Sequence, residues 1–281
     1  MSIIEGALKR AKKADPGGER AREAASRAGT ADGRGDRRQQ AAVVSAVLNT
    51  YPVLQADARI CEQARVVLSE SDDHSDTKAL DSYRIVRTRL RRALGSRDAA
   101  SIGIISAGRN EGKSLTSVNL ALAFARERKQ NVYLLDLDLR NPSVCGMLGV
   151  APNVEIGNYL AGAAPAETAF FTFGVEGVAI AGGTARHVNS SELLSGTALP
   201  QLFQYLHSVD PQALVLVDLP PLLPSADALI VAPHLTTTLL VVAEGVTRRD
   251  LLQRAGEMLA GVNVAGVVMN RSHEAAENYY Y

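Results

Sequence analysis

The chain has 281 residues, 46% hydrophobic and 21% charged, which is enough for one large α/β domain with an attached arm. Lysine plus arginine and aspartate plus glutamate each total 30, a balance that gives no reason to expect a nucleic-acid partner. Cys61 and Cys145 form no CxxC or Cys/His cluster, so neither a disulfide framework nor a zinc site is predicted. The sequence has no apolar run of membrane-spanning length and no signal peptide, and we expect a cytoplasmic protein.

The first 76 residues divide into three stretches. In residues 1–13, "MSIIEGALKRAKK", Ile3, Ile4 and Leu8 share a helical face opposite basic residues, which predicts an amphipathic helix. Such a helix docks on a partner or an anionic membrane surface, or simply frays in solvent. Residues 14–41 lack large apolar side chains and are predicted to be a disordered linker. Residues 42–76 regain apolar content and are interpreted as a helical arm.

A domain is predicted from residue 77 to residue 271. It opens with "ALDSYRIVRTRLRRAL", in which Leu80, Val86 and Leu90 recur at helical spacing. The arginines of this helix are Arg84, Arg87, Arg91 and Arg92. They indicate either a solvated face or a surface that pairs with carboxylates of a neighbouring subunit.

From residue 100, short apolar runs alternate with helical segments. The runs are "ASIGIISA", "NVYLLDLDL", "GVAIAGG", "ALVLVDLP", "TTTLLVVAEG" and "VAGVVMN". Continuous apolarity is typical of strands buried on both faces. The sequence therefore predicts an α/β fold, a mostly parallel sheet with helices on both sides.

The stretch "SAGRNEGKSLTS" lies between the first of these runs and a helical segment, as a phosphate-binding loop requires. Its backbone N–H groups and the following helix N-terminus would form an anion site. Lys113 would reach the β- and γ-phosphates of ATP, and Ser114 would ligate Mg²⁺. The residues predicted to contact the nucleotide in this loop are Gly108, Arg109, Asn110, Glu111, Gly112, Lys113, Ser114 and Leu115.

Polar side chains end three of the predicted strands. Asp136 and Asp138 are two residues apart and, by strand alternation, should face one side together, and Asp218 ends another buried strand. Asp136 and Asp218 are candidate magnesium ligands with Ser114, and Asp136 or Asp138 is a candidate general base. Asn270 ends the last strand, where its amide either pairs with the adenine edge or belongs to a plain turn.

Four segments together resemble the bacterial tyrosine kinase (BY-kinase) family of polysaccharide co-polymerase cytoplasmic domains. They are the loop "SAGRNEGKS", the second motif "LLDLDLRNPSV", the third motif "LVLVDLPP" and the final "ENYYY". Asp81, Arg84 and Arg87 in "DSYRIVRTRL" resemble the segment through which subunits of that family meet. The opening "MSIIEGALKRAKK" is similar to the start of stand-alone autokinases of exosortase-linked exopolysaccharide systems.

The resemblance implies an ATP-dependent tyrosine autokinase with Lys113, Asp136, Asp138 and Asp218 as its catalytic residues. Its acceptors would be Tyr279, Tyr280 and Tyr281 in the tail, residues 272–281, phosphorylated between subunits to regulate polysaccharide export. The implied partners are further copies of the chain, a membrane co-polymerase that activates it and recruits it to the inner face of the membrane, and a phosphotyrosine phosphatase.

Two other functions fit the same motifs. A P-loop ATPase switch of the division-site or plasmid-positioning type shares the fold but carries a second lysine early in the loop, where this chain has Gly108. A nucleotide-bound scaffold of a polysaccharide export complex would bind ATP without turnover. Within the kinase family, Leu219 is a departure, since the third motif usually has Ala, Ser or Thr there. Three tail tyrosines are also fewer than in many members.

Overall fold

The computed structural model describes residues 47–68, 74–95, 97 and 99–272. The predicted amphipathic helix 1–13, the linker 14–41 and the three terminal tyrosines lie outside these residues. Within the described ranges, no helix has both the length and the apolar character needed to cross a bilayer.

Helices and strands alternate along most of the described chain. The helices are α1 Ala58–Gln63, α2 His74–Leu94, α3 Lys113–Ala125, α4 Val144–Leu148, α5 Ile156–Leu160, α6 Ser190–Ser195, α7 Ala198–Val209, α8 Asp227–Val231 and α9 Arg249–Met258. The strands are β1 Ala100–Ser106, β2 Val132–Asp136, β3 Phe170–Phe171, β4 Val178–Ala181, β5 Leu214–Asp218, β6 Thr237–Ala243 and β7 Val264–Asn270. Short 3₁₀ helices occupy Leu48–Thr50, Ala166–Ala169 and Ala232–His234.

In the described part of the chain the strands form one seven-stranded sheet in the order β3-β4-β2-β5-β1-β6-β7. Every pairing is parallel except that of β3 with β4. The prediction of a mostly parallel sheet is confirmed, and each apolar run forms a strand. The edge strand β7 is an exception to burial on both faces, because Val267 and Met269 are exposed.

Helices cover both faces of the sheet. Helices α1 to α4 pack on one face, where their apolar side chains meet those of Ile102, Leu134 and Leu216. Helices α5 to α9 pack on the other face against the alternate residues of the same strands, such as Tyr133 and Val217. This two-sided arrangement explains why the central strands read as continuous apolar runs.

The described part of the predicted helical arm, residues 47–68, is a strap with two short helices, the 3₁₀ helix Leu48–Thr50 and α1, joined by irregular segments. Tyr51 packs against Tyr133 and Phe170, on the face covered by α5 to α9. Val53 then bridges Thr172 beyond the β3 edge. Helix α1 and the residues after it lie on the opposite face. The strap therefore wraps around one edge of the sheet and takes part in both cores.

Two arginines of helix α2 have partners within the chain. Arg87 Nε lies 3.1 Å from Glu127 Oε1, and Arg87 Nη1 donates to the carbonyl of Ala123 at 2.7 Å. Arg91 Nε donates to Glu127 Oε2 at 3.2 Å. Both arginines thus join α2 to α3 and its C-terminus. Arg84, by contrast, pairs with Asp81 at 3.0 Å on the exposed side of the helix.

Candidate functional site

The site lies where β1, β2 and β5 end at the carboxyl edge of the sheet. Asp136 of β2 and Asp218 of β5 are register partners on neighbouring strands. Strand β1, on the other side of β5, ends at Ser106 and leads directly into the loop before α3. Because parallel strands end at one edge, the loop and the two carboxylates converge there.

The loop has left-handed backbone conformations at two positions. Asn110 has φ 61° and Gly112 has φ 87°, and Gly112 is the N-cap of α3. Asparagine and glycine are the residues that tolerate this conformation best. Alternation of right- and left-handed residues turns successive N–H groups to one side, which is how such loops bind anions. Ser106 Oγ also donates to the carbonyl of Gly108 at 2.8 Å.

Lys113 lies at the centre of the carboxylates. Its Nζ is 3.1 Å from Asp138 Oδ2 and 3.1 Å from Asp218 Oδ2, and it donates to Ser114 Oγ at 3.0 Å. Burial alone would lower the pKa of Lys113, but Asp218, Asp138 and Asp136 outweigh it and raise the pKa above its ordinary value. The lysine therefore carries a full positive charge at neutral pH.

Asp218 is fixed by helix α3. Its Oδ2 accepts from Ser114 Oγ at 2.6 Å, and its Oδ1 accepts from Ser117 Oγ at 2.8 Å. Ser117 was not predicted from sequence, although it lies one turn after Ser114 on the same helix face. The hydroxyl of Ser114 and the carboxylate of Asp218 are therefore adjacent oxygen donors.

Asp136 and Asp138 have different environments. Asp136 is fully buried and accepts from the backbone N–H groups of Ser143, Val144 and Asp138. Burial and the neighbouring Asp218 raise the pKa of Asp136 to about 7. Asp138 keeps a slightly exposed side chain beside Lys113, and burial raises the pKa of this carboxyl too. Strand β2 ends at Asp136, so strand alternation does not govern the direction of Asp138.

This set of groups fits the phosphates of a nucleotide and a magnesium ion. Mg²⁺ is usually held by one or two protein oxygens together with phosphate oxygens and water, and Ser114 and Asp218 supply such a pair. Lys113 is a cation that can neutralise phosphate charge, and the N–H groups of the loop before it can surround the phosphate. Asp136 is committed to three backbone N–H groups, so its predicted role as a magnesium ligand stays a prediction.

The remaining predicted nucleotide contacts differ in position. Arg109 is exposed at the loop, whereas Glu111 is buried and its Oε1 accepts from Thr247 Oγ1 at 2.7 Å. Leu115 is half-buried and packs its side chain against the core. Asn270 lies against the loop, where its Nδ2 donates to the carbonyl of Glu111 at 2.9 Å.

Sequence reasoning missed two further residues at this loop. Thr247 bonds Glu111 as described, and Arg271 Nη2 donates to the carbonyl of Asn110 at 2.8 Å. Both come from the other end of the domain, and no local spacing pattern could have indicated them.

Comparison with known proteins identifies relatives of this arrangement. A family model described as ParA, NUBPL iron-transfer P-loop NTPase, matches residues 99–279. Tyrosine-protein kinase YwqD of Bacillus subtilis is 31% identical over 201 residues, which cover 70% of this chain and 83% of YwqD. Succinoglycan biosynthesis transport protein ExoP of Rhizobium meliloti is 32% identical over 200 residues, which cover 68% of this chain and 25% of ExoP. Tyrosine-protein kinase etk of Escherichia coli K12 is 29% identical over 210 residues, and the chain spans only 28% of its length.

Solved structures agree with the sequence relatives. The kinase domain of Escherichia coli tyrosine kinase ETK superposes with a TM-score of 0.66 at 25% identity, covering 82% of this chain and 92% of that domain. The Pyrococcus furiosus cell division ATPase MinD gives a TM-score of 0.53 at 26% identity, covering 63% of this chain and 74% of MinD. With kinases matching over more of its length than the ATPase, this chain belongs to the bacterial tyrosine kinases, a family built on the P-loop NTPase fold.

Proposed function

We propose that this chain is an ATP-dependent tyrosine autokinase that phosphorylates Tyr279, Tyr280 and Tyr281 of a neighbouring copy. The observation that carries the proposal is that Lys113 Nζ lies 3.1 Å from both Asp138 and Asp218. This group lies beside the phosphate-binding loop, which Arg271, the residue before the tail, contacts. A lysine for the transferring phosphate, a carboxylate for the metal and a further carboxylate for a proton are the parts that phosphoryl transfer needs.

In this mechanism Asp138 is the general base. It accepts the phenol proton, the phenol oxygen forms a bond to the γ-phosphorus, and the bond to the β–γ bridging oxygen breaks to release ADP. Asp138 suits this role better than Asp136 because its side chain keeps a small exposed fraction and lies 3.1 Å from Lys113, whereas Asp136 is fully buried. Lys113 stabilises charge on the transferring group. Ser114 and Asp218 would hold magnesium, which would neutralise further phosphate charge.

The reach of the tail supports transfer between copies. Arg271 is fixed on the loop by its bond to Asn110, so the tail starts beside its own site. The ten residues from Arg271 to Tyr281 extend at most ~33–36 Å, which is enough to enter a neighbour's site. Reaching its own site would require the tail to fold straight back. Each added phosphate brings about −1.5 to −2 charges to a tail that already has Glu274 and Glu277, and this charge would oppose a return to the carboxylate-lined site.

The same proposal assigns the kinase to polysaccharide export. ExoP is named as a succinoglycan biosynthesis transport protein, and this chain matches a quarter of its length. We infer that a membrane co-polymerase supplied by a separate chain recruits and activates this one, and that a phosphotyrosine phosphatase resets it.

The test mixes two variants of the full chain. Lys113→Met protein, which has acceptors but no phosphate-binding lysine, is incubated with Mg²⁺, ATP and an active variant whose three tail tyrosines are Phe. Phosphotyrosine in residues 279–281 of the Lys113→Met chain is expected. Lys129→Met is the matched control, because Lys129 is an exposed lysine outside the site and its loss should leave donor activity intact. Wild-type protein labelled only outside the tail would refute the acceptor assignment.

The competing function is an ATPase switch, which the structural likeness to MinD favours. Such a protein would hydrolyse ATP and place no phosphate on tyrosine. Wild-type protein separates the two functions when ADP release is measured beside phosphotyrosine. ADP formation by wild-type protein without phosphotyrosine would establish the switch.

A further inference from the structure

The end of strand β7 holds the phosphate-binding loop by two consecutive carbonyls. Asn270 Nδ2 donates to the carbonyl of Glu111 at 2.9 Å, and Arg271 Nη2 donates to the carbonyl of Asn110 at 2.8 Å. Asn270 is itself oriented, because its Oδ1 accepts from the backbone N–H of Arg271 at 2.9 Å. One dipeptide therefore contacts the loop at two adjacent peptide groups.

These contacts lie next to the two loop residues with left-handed backbone conformations. Asn110 has φ 61°, a conformation that disfavours most side chains, and Gly112 has φ 87°. A Cβ at Gly112 would overlap Asn270 Nδ2, so only glycine allows the close approach. The C=O and the N–H of a trans peptide group point in opposite directions within one plane. A donor that holds the carbonyl of one residue therefore also sets the direction of the N–H of the next residue. Holding the two carbonyls thus fixes the directions of the N–H groups that would meet phosphate.

A third contact supports the same loop from the turn after β6. Thr247 Oγ1 donates to Glu111 Oε1 at 2.7 Å and accepts from the N–H of Ala243 at 2.9 Å. Glu111 is therefore held through both its backbone and its side chain, and its carboxylate is kept folded beside Gly108 rather than in the phosphate cradle.

We propose that Asn270 and Arg271 are positioning residues that hold the loop in its phosphate-binding conformation. This assignment differs from the prediction that Asn270 reads the adenine edge, because here its amide N–H is used on the loop backbone. It also gives the tail a direct mechanical link to the loop, since Arg271 is the residue from which the tail departs. The proposal deepens the proposed function but requires only that the loop bind phosphates.

The decisive measurement compares two ligands that share phosphates but not a base. Full-length wild-type, Asn270→Ala, Arg271→Ala and Arg271→Lys proteins are titrated with MgATP and with magnesium tripolyphosphate by calorimetry. Asn270→Ala removes the amide that donates to the loop and adds no charge beside the phosphates. Arg254→Ala is the control for lost surface charge, because Arg254 is exposed on α9 and has no role in the loop.

Asn270→Ala and Arg271→Ala are expected to weaken both ligands by the same factor, about fivefold to tenfold for one hydrogen bond to the loop. Arg271→Lys should recover part of the loss, and Arg254→Ala should bind as wild type. Weakened MgATP binding with unchanged tripolyphosphate binding by Asn270→Ala would overturn the proposal in favour of adenine recognition. Unchanged binding of both ligands by both variants would also overturn it. Neither result bears on phosphate transfer to tyrosine, which the mixing experiment measures separately.

Discussion

Replacing Arg87 by Glu should lower the stability of the folded domain, and not only weaken a contact between subunits. The side chains of Arg87 and Glu127 are only 17% and 15% exposed, and their nearest charged atoms are 3.1 Å apart. At the effective dielectric constant of about 20 that suits such a site, an attraction of roughly 5 kcal/mol is replaced by repulsion, which relaxation and water reduce. We expect the free energy of unfolding to fall by about 3 kcal/mol, a large share of the total for a domain.

The assay is urea denaturation of wild type, Arg87→Glu, Glu127→Gln and the double variant. Because the repulsion needs the carboxylate of Glu127, Arg87→Glu should cost less than half as much in the Glu127→Gln background. An equal cost in both backgrounds would contradict the pairing. A loss of subunit association with unchanged unfolding would show instead that Arg87 serves the surface predicted from sequence.

Three further changes have separate expected outcomes. Arg84→Glu should change unfolding by less than about 1 kcal/mol, since its pair with Asp81 is exposed, so light scattering on this variant tests the subunit contact without damage to the fold. Asp138→Asn should still bind MgATP in calorimetry yet lose phosphotransfer by ~10²-fold, and equal activity would exclude a base at this position. Burial raises the pKa of Asp138, and a general base must be deprotonated. Wild-type activity should therefore rise with pH, with a midpoint above the ordinary pKa range of aspartate. A midpoint at the ordinary aspartate pKa would contradict this role. Tyr51→Ala should lower unfolding free energy by about 3 kcal/mol in urea, and a loss under 1 kcal/mol would mean that the strap is not part of the core.

The strands were predictable because burial on two faces leaves a continuous apolar run. Apolar runs correctly predicted β1, β2, β4, β5 and β6 as buried strands. They also predicted β7, but this strand is partly exposed, because it lies at the edge of the sheet with no strand on its outer side. Strand β3 was missed because two residues, Phe170 and Phe171, give no recognisable run. The dense apolar residues of the strap led to the prediction of a helical arm; in residues 47–68 they lie in two short helices and in the segments between them, and they pack into two opposite cores.

The loop and its lysine were predictable from local spacing, whereas the partners of each side chain were not. Spacing placed Arg87 on a helix face but could not show that Glu127 lies across from it, 40 positions later in the sequence. It likewise placed Asn270 at a strand end without indicating that the strand ends against Glu111. Such pairs depend on tertiary packing, which a single sequence does not reveal.

The strap sets an order on folding. Tyr51 contacts Tyr205, 154 residues later in the chain, and Val53 bridges Thr172. At a synthesis rate of about 5–20 residues per second, the strap leaves the ribosome about 8–30 s before its last aromatic partner exists. Closure of such distant contacts comes late because the intervening chain must first be ordered. We therefore expect the strap to close around a sheet that has already formed, with its aromatic side chains available to chaperones or to other chains until then.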